Sequence, residues 1–167
     1  MKKKTNLKPI FYGIAIILGI AAFCMLFTNV YKITTTVGNS STTEVAKGTV
    51  AVFGGEFAGL EKGIVFSFMN MLTYILVLAA VVLSVLKLAN VCKAKWVDFV
   101  IAGLFVVAGI FFFCTTAFTT LDTNLQKTID TVGSLTKVTK SLGVGAIVGG
   151  ILSLLAGGTV IFGHVKK

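Results

Sequence analysis

Charged side chains and the residues of catalytic sites are scarce in this chain of 167 residues. Only 13% of the residues are charged, arginine is absent, and there is a single proline, histidine and tryptophan. Together with 56% hydrophobic residues and a mean hydropathy of +0.97, this composition lies outside the range of a soluble domain. We therefore expect the chain to lie in a membrane.

The same scarcity excludes most enzyme chemistry. The only histidine, His164, has no Asp, Glu or Cys close in sequence to complete a metal site, and we interpret it as an interfacial residue. Cys24 and Cys114 lie in apolar runs at a similar predicted depth, where we favour small buried side chains over a disulfide bond. No H-E-x-x-H, G-x-S-x-G or P-loop pattern occurs. We predict a protein that is not an enzyme and that holds no cofactor or metal.

Four apolar runs are long enough to cross a hydrocarbon core of about 30 Å, which takes roughly 20 helical residues. Uninterrupted runs of this length are typical of helices and not of barrel strands, in which apolar and polar residues alternate. The predicted spans are 9–29, 64–86, 97–119 and 142–163. The first run is longer than the apolar part of a signal peptide and has no A-x-A site after it, so we expect it to stay uncleaved. The predicted fold class is an all-α bundle of four transmembrane helices.

Lysine accumulates at one end of the predicted bundle. The tail 1–8 holds four lysines, the connection 87–96 holds three and the tail 164–167 holds two, whereas acidic residues offset much of the charge in 30–63 and 120–141. By the positive-inside rule, both termini and the short connection are cytoplasmic, and the two longer segments lie outside. The expected location is a plasma membrane, the inner one if the cell is bacterial. The lysines are not interleaved with aromatics on one solvent face, so we expect no nucleic-acid partner.

The first outer segment has the composition of a small β-hairpin. Residues 31–37 and 49–53 are rich in β-branched side chains, and the turn-prone stretch 38–41 lies between them. A two-stranded ribbon is marginal alone, so we expect it to lean on the second outer segment. The candidate contact residues of this segment, which are equally suited to the core of a cap, are Phe53, Phe57 and Leu60.

The second outer segment, 120–141, keeps a helical pattern. Its apolar residues recur in steps of four and three, and its charged residues fall on other faces. This predicts an amphipathic helix, with a candidate interruption at Gly133. Such a helix can cover the hairpin, lie on the membrane surface or bind a partner helix. We favour the first, which gives a small outer cap.

The fourth predicted span separates small from large side chains. On a helix, one sector carries the small residues Gly145, Ala146, Gly149, Gly150, Ser153 and Gly157. A strip of almost bare backbone allows another helix to approach closely, which is how many membrane helices pack. This glycine stripe predicts a packing seam, either within one chain or between the chains of an oligomer.

The second predicted span carries a cluster of polar residues. At spacings of three and four in the second span stand Ser67, Asn70, Thr73 and Tyr74. An amide in hydrocarbon is costly without a partner, so this polar cluster should face other helices. We favour interhelical hydrogen bonds of about 1 kcal/mol over a solute-binding or pore-lining patch. Asp98, at the start of the third span, is explained by its place at a helix N-terminus near lysines.

In layout, with two outer loops and a tight inner connection, the chain resembles claudin-like and other tetraspan membrane proteins. The claudin signature of Gly-Leu-Trp followed by two cysteines is absent, because Gly59-Leu60 precedes Glu61. No functional residue is therefore carried over. We expect a non-catalytic structural or accessory protein that contacts the lipid bilayer and another membrane protein or a second copy. The alternative is an oligomeric channel or solute-transport component packed through the glycine stripe.

Overall fold

A computed structural model describes residues 8–92, 94–133 and 137–165 of the chain. Residues 1–7 of the predicted basic tail and residues 166–167 lie outside this range. Within it, four helices are long and apolar enough to cross a membrane, which confirms the predicted set of spans at that level. They are α1 (Lys8–Cys24), α3 (Phe68–Leu88), α4 (Trp96–Phe113) and α7 (Val144–Val165).

Local signals explain where these helices begin and end. Pro9 lies in the first described turn of α1, where its missing N–H group costs nothing. The Ser67 hydroxyl caps α3 by accepting a hydrogen bond from the backbone N–H group of Asn70. Asn90, with a φ of 58°, follows the last turn of α3, and left-handed backbone of this kind commonly ends helices.

The long helices form a four-membered ring. α4 packs on α3 and α7, and α1 packs on the same two helices, so α1 and α4 lie at opposite corners. Their shared core is filled by aromatic and branched side chains that are fully buried, among them Phe105, Phe112, Ile101, Val77 and Val160. Because these side chains pack closely in the shared core, each helix has a defined rotation about its axis.

The two outer segments join in one antiparallel sheet. The central strand β1 (Asn29–Val37) pairs with β2 (Ser40–Lys47) on one side and with β5 (Lys137–Leu142) on the other. A short hairpin of β3 (Gly55–Phe57) and β4 (Leu60–Ile64) forms a second sheet. The molecule is mostly helical and has four long apolar helices, as predicted, but it also contains a small sheet, which the all-α class does not include.

The predicted hairpin is correct in its first strand and its turn but not in its second strand. The second strand is β2, and residues 49–53 belong to the short helix α2 (Gly48–Phe53). Gly48 lies against the backbone of Leu26 and the hydroxyl of Tyr74 so closely that a Cβ atom would lie 2.8 Å from that hydroxyl. Tertiary packing at this point outweighs the strand propensity of Val50 and Val52.

The second outer segment is a helix only in its first half. The amphipathic helix α6 (Thr123–Gly133) is followed by β5 instead of further helical turns. β5 supplies the hydrogen-bond partners that the second edge of β1 would otherwise lack. The short helix α5 (Thr115–Phe118) connects α4 to this segment. α6 packs beside the sheet, where Leu125 joins the buried cap core with Val30, Tyr31 and Ile33.

Candidate functional site

The glycine stripe of α7 is buried within the single chain. All six of its residues are buried, and Ala146 and Ser153 have no exposed surface. A Cβ atom added at Gly149 or Gly150 would lie 2.8 Å from the ring of Phe112 or of Phe113, both on α4. These contacts make the middle of the stripe the seam along which α4 approaches α7, whereas its first residue, Gly145, lies against Thr28 and Asn29.

The polar cluster of α3 lies at the junction between the bundle and the cap. Its four residues, Ser67, Asn70, Thr73 and Tyr74, are all buried. The Ser67 hydroxyl donates to the carbonyl oxygen of Phe118 at 2.7 Å. The Asn70 amide group donates to the Ala51 carbonyl oxygen and to the Thr119 hydroxyl, each at 3.0 Å. The amide thus links α3 to α2 and to the segment after α5.

The other two members of that cluster serve their own helix or the apolar core. The Thr73 hydroxyl donates to the Met69 carbonyl oxygen one turn earlier, at 3.1 Å. The ring of Tyr74 packs edge-on against Phe112, with 5.2 Å between ring centroids. The hydroxyl and amide N–H groups of Ser67, Asn70 and Thr73 are therefore used in contacts that position helices.

The three candidate contact residues of the first outer segment do not lie together in one exposed patch. Phe53 is 63% exposed and Leu60 is 40% exposed, whereas Phe57 is 4% exposed. Phe57 packs against the ring of Tyr31 at a centroid distance of 5.9 Å, inside the cap core. Phe53 and Leu60 stay available on the surface, and Phe57 supports the cap from within.

A cluster that the sequence did not predict lies at the opposite end of the bundle from the cap. It takes one residue from each long helix and is centred on the carboxylate of Asp98, which is 3% exposed. Oδ1 of Asp98 accepts a 2.7 Å hydrogen bond from the Tyr12 hydroxyl and lies 2.9 Å from Nζ of Lys87. Oδ2 lies 2.7 Å from Nδ1 of His164. We call these four residues the Asp98 cluster.

The electrostatics of the Asp98 cluster explain why a carboxylate tolerates this position. An ionised carboxylate taken out of water costs several kcal/mol unless cations and hydrogen-bond donors compensate for it. Here both oxygens have partners, and the ring of His164 is held against Phe99 at a centroid distance of 4.9 Å. The interpretation of Asp98 as a helix-end residue is correct in place, since it lies in the first turn of α4. It misses the three partners from the other helices.

A cavity of about 330 Å³ adjoins the Asp98 cluster. It lies between the start of α1 and the connection from α3 to α4, and its polar lining includes Lys8, Tyr12, Lys87, Asn90, Lys95 and Asp98. Its volume is in the range of about 300–1,000 Å³ that is usual for ligand pockets. Among the described residues, no group of three or more His, Cys, Asp and Glu side chains is placed to hold a metal ion.

Comparison with known proteins yields no match, either to a protein-family model or to a curated sequence.

Proposed function

We propose that the chain is a non-catalytic tetraspan protein of a cell membrane, with cytoplasmic termini, that acts as a structural or accessory subunit through its outer cap. The observation that carries the proposal is the sheet β2–β1–β5, which unites both outer segments in one folded unit. A preformed cap on a membrane anchor is suited to contact a partner without ordering loops first, and ordering loops would cost affinity.

The strand β2 gives this cap its most accessible edge. Within the described part of the chain it pairs with β1 alone, and all its residues except Ala46 are exposed. The backbone N–H and C=O groups on an unpaired strand edge can pair with a strand of another chain. The exposed side chain of Val45 lies on β2 and supplies apolar surface beside this edge, whereas Phe53 lines an apolar groove with Ile75 of α3.

The glycine stripe weighs against the alternative of an oligomeric channel. A channel built through this stripe needs the small residues to face another protomer, but α4 of the same chain lies against Gly149, Gly150 and Gly157. The Asp98 carboxylate is likewise used within the chain and does not form a free charged ring of the kind that selects ions.

The first test is the mass of the purified full-length particle in nanodiscs. We compare wild type with Gly149→Leu, which places a large side chain against Phe112, and with the control Gly158→Leu, where no atom lies within 4 Å of an added Cβ. We expect a monomer throughout, with lowered thermal stability only for Gly149→Leu. A wild-type oligomer that Gly149→Leu dissociates without unfolding would instead support the channel.

The second test addresses the cap. A photo-crosslinking amino acid is placed at Thr43 in β2 and, as a control, at Ile75, which is exposed on the apolar surface of α3. We expect Thr43 in intact cells to give a discrete crosslinked protein that the Ile75 position does not give. Identical products from both positions would reflect collisions in the membrane and would contradict a role for the cap.

A further inference from the structure

The lysine-lined cavity beside the Asp98 cluster has a use that is independent of the outer cap. We propose that it binds the phosphate headgroup of an anionic phospholipid, in the leaflet that faces the connection between α3 and α4.

The charge balance of the cavity favours an anion. Three lysines, Lys8, Lys87 and Lys95, line it against a single carboxylate, that of Asp98. That carboxylate is already engaged by a phenol, an ammonium and an imidazole, which leaves it little capacity for a further cation. Among the lining residues, lysines therefore outnumber carboxylates by three to one, and a phosphate supplies the negative charge that favours such a lining.

The ammonium group of Lys87 is held in place at the cavity by two contacts within the chain. It contacts Oδ1 of Asp98 and donates to the carbonyl oxygen of Ala94, which uses two of its three N–H groups. Lys87 also lines the cavity. The amide side chain of Asn90 adds a neutral donor to the same lining.

The wall that carries Asn90 and Cys92 is fixed by the end of α3. The backbone N–H groups of Asn90 and Val91 donate to the carbonyl oxygens of Lys87 and Leu86, at 3.1 and 3.0 Å. This is the pattern that closes a helix at a left-handed residue, and Asn90 has a φ of 58°. This wall of the cavity is therefore held by the helix end, which lowers the ordering cost of binding.

The surroundings favour a lipid over a free phosphate ion. The lining includes the apolar residues Pro9 and Leu88, and Ile10 next to Pro9 is exposed on the outside of α1. Trp96, which follows Lys95, is 66% exposed, as expected of an aromatic residue at the headgroup level. An acyl chain can lie along this apolar surface while its phosphate enters the cavity. Basic pockets between the cytoplasmic ends of transmembrane helices are typical sites for acidic headgroups.

The test measures lipid binding by the full-length protein in a non-ionic detergent. We titrate it with a short-chain phosphatidylglycerol, with phosphatidylcholine of equal chain length, and with inorganic phosphate. We expect phosphatidylglycerol to bind at least about tenfold more tightly than phosphatidylcholine. Lys95→Gln, which alters an exposed lysine, should weaken the phosphatidylglycerol affinity about fivefold and leave the melting temperature unchanged. Lys8→Gln is a second variant with the same expected direction.

A matched control distinguishes a specific binding site from general electrostatic attraction between the anionic lipid and the lysines of the protein. Lys127→Gln removes the same charge from the exposed surface of α6, in the cap. Its phosphatidylglycerol affinity should equal that of wild type. An equal loss in Lys127→Gln and Lys95→Gln, or equal affinity of wild type for the two lipids, would overturn the proposal.

A second measurement uses Cys92, which lines the cavity and is partly buried. In a variant with Cys24→Ala and Cys114→Ala, phosphatidylglycerol should slow the reaction of Cys92 with a maleimide several-fold, whereas phosphatidylcholine should not. If inorganic phosphate protects Cys92 as well as phosphatidylglycerol does at equal concentration, the site takes free anions and the assignment to a lipid is wrong.

Discussion

The hydroxyl group of Tyr12 donates a 2.7 Å hydrogen bond to the carboxylate of Asp98, a residue 86 positions further along the chain. This contact runs between opposite corners of the helix ring, from α1 to α4. The same carboxylate contacts Lys87 of α3 and His164 of α7. One side chain therefore joins all four long helices at the end of the bundle away from the cap.

Removing the Lys87 charge alone should lower the free energy of unfolding more than removing the Lys87 and Asp98 charges together. Lys87→Met leaves a buried carboxylate without its lysine, so we expect the free energy of unfolding to fall by about 3 kcal/mol. Adding Asp98→Asn, which removes the carboxylate charge, should restore at least about 1 kcal/mol of that loss. Thermal unfolding in detergent measures both. Lys95→Met, the same substitution at an exposed neighbour, should change stability by less than about 0.5 kcal/mol. A double variant no more stable than Lys87→Met would contradict this account.

The buried phenol of Tyr31 should make the cap sensitive to alkaline pH. Burial raises the pKa of Tyr31 from 10.0 to about 12, so the folded state favours the neutral phenol. The corresponding stability is complete below pH 10 and is lost as the pH rises towards 12. In Tyr31→Phe this part of the loss should disappear, which amounts to roughly 1 kcal/mol at pH 11.

The same substitution should be harmless at neutral pH. The Tyr31 hydroxyl has no hydrogen-bond partner among the described residues, although it is fully buried. Replacing such a hydroxyl with hydrogen is expected to be neutral or to stabilise by about 1 kcal/mol. Melting temperatures at pH 8 and pH 11 for both proteins test the two expectations together. Parallel losses in both proteins would show that Tyr31 does not titrate as described.

Removing the polar group of Asn70 should lower the stability of the protein much more than removing that of Thr73. Asn70→Leu breaks hydrogen bonds to Ala51 and Thr119 on other segments, and we expect a loss of about 1–2 kcal/mol. Thr73→Val removes a bond within α3 only and should cost less than about 0.5 kcal/mol. Unfolding in detergent measures these losses, and solute flux into proteoliposomes is the second readout. A change in flux at unchanged stability in either variant would favour the pore-lining interpretation.

The proposed orientation can be tested with single cysteines in intact cells. In a chain with Cys24→Ala and Cys114→Ala, a membrane-impermeant maleimide should reach Cys92 only after the cells are permeabilised. The opposite outcome is expected for Ser41→Cys in a background that also lacks Cys92, because Ser41 is exposed on β2 in the cap. Labelling of Cys92 in intact cells would reverse the topology that the lysine distribution predicts.

The spans could be predicted because each depends on one local property. An apolar run of sufficient length is a helix in lipid whatever its neighbours are, and the small residues of 142–163 mark its closest packing face. The bounds of the helices differ from those of the predicted spans by a few residues. For example, the second predicted span begins at residue 64, but α3 begins at Phe68, directly after its N-cap residue Ser67.

The Asp98 cluster and the sheet could not be predicted in the same way. Tyr12, Lys87 and His164 meet Asp98 only because of the order and rotation of four helices, which no single segment specifies. Similarly, Lys137–Leu142 becomes a strand because β1 has a free edge beside it. The sequence does place a tyrosine, a lysine and a histidine at the same end of three predicted spans. This pattern is weak evidence for a cluster unless the order in which the four helices pack is known.

Tyr31 of the central strand β1 pairs with Leu142 of β5, so the sheet can be completed only after β5 has been synthesised. β1 and β2 emerge early, but β5 is translated only after α3 and α4, so the sheet closes late. Until then the edge of β1 is open as well as that of β2, and unpaired strand edges are prone to mispairing. Closure requires both outer segments to be on the same side of the bilayer. The sheet is therefore a check on insertion, because a chain with one inverted hairpin of helices cannot complete it.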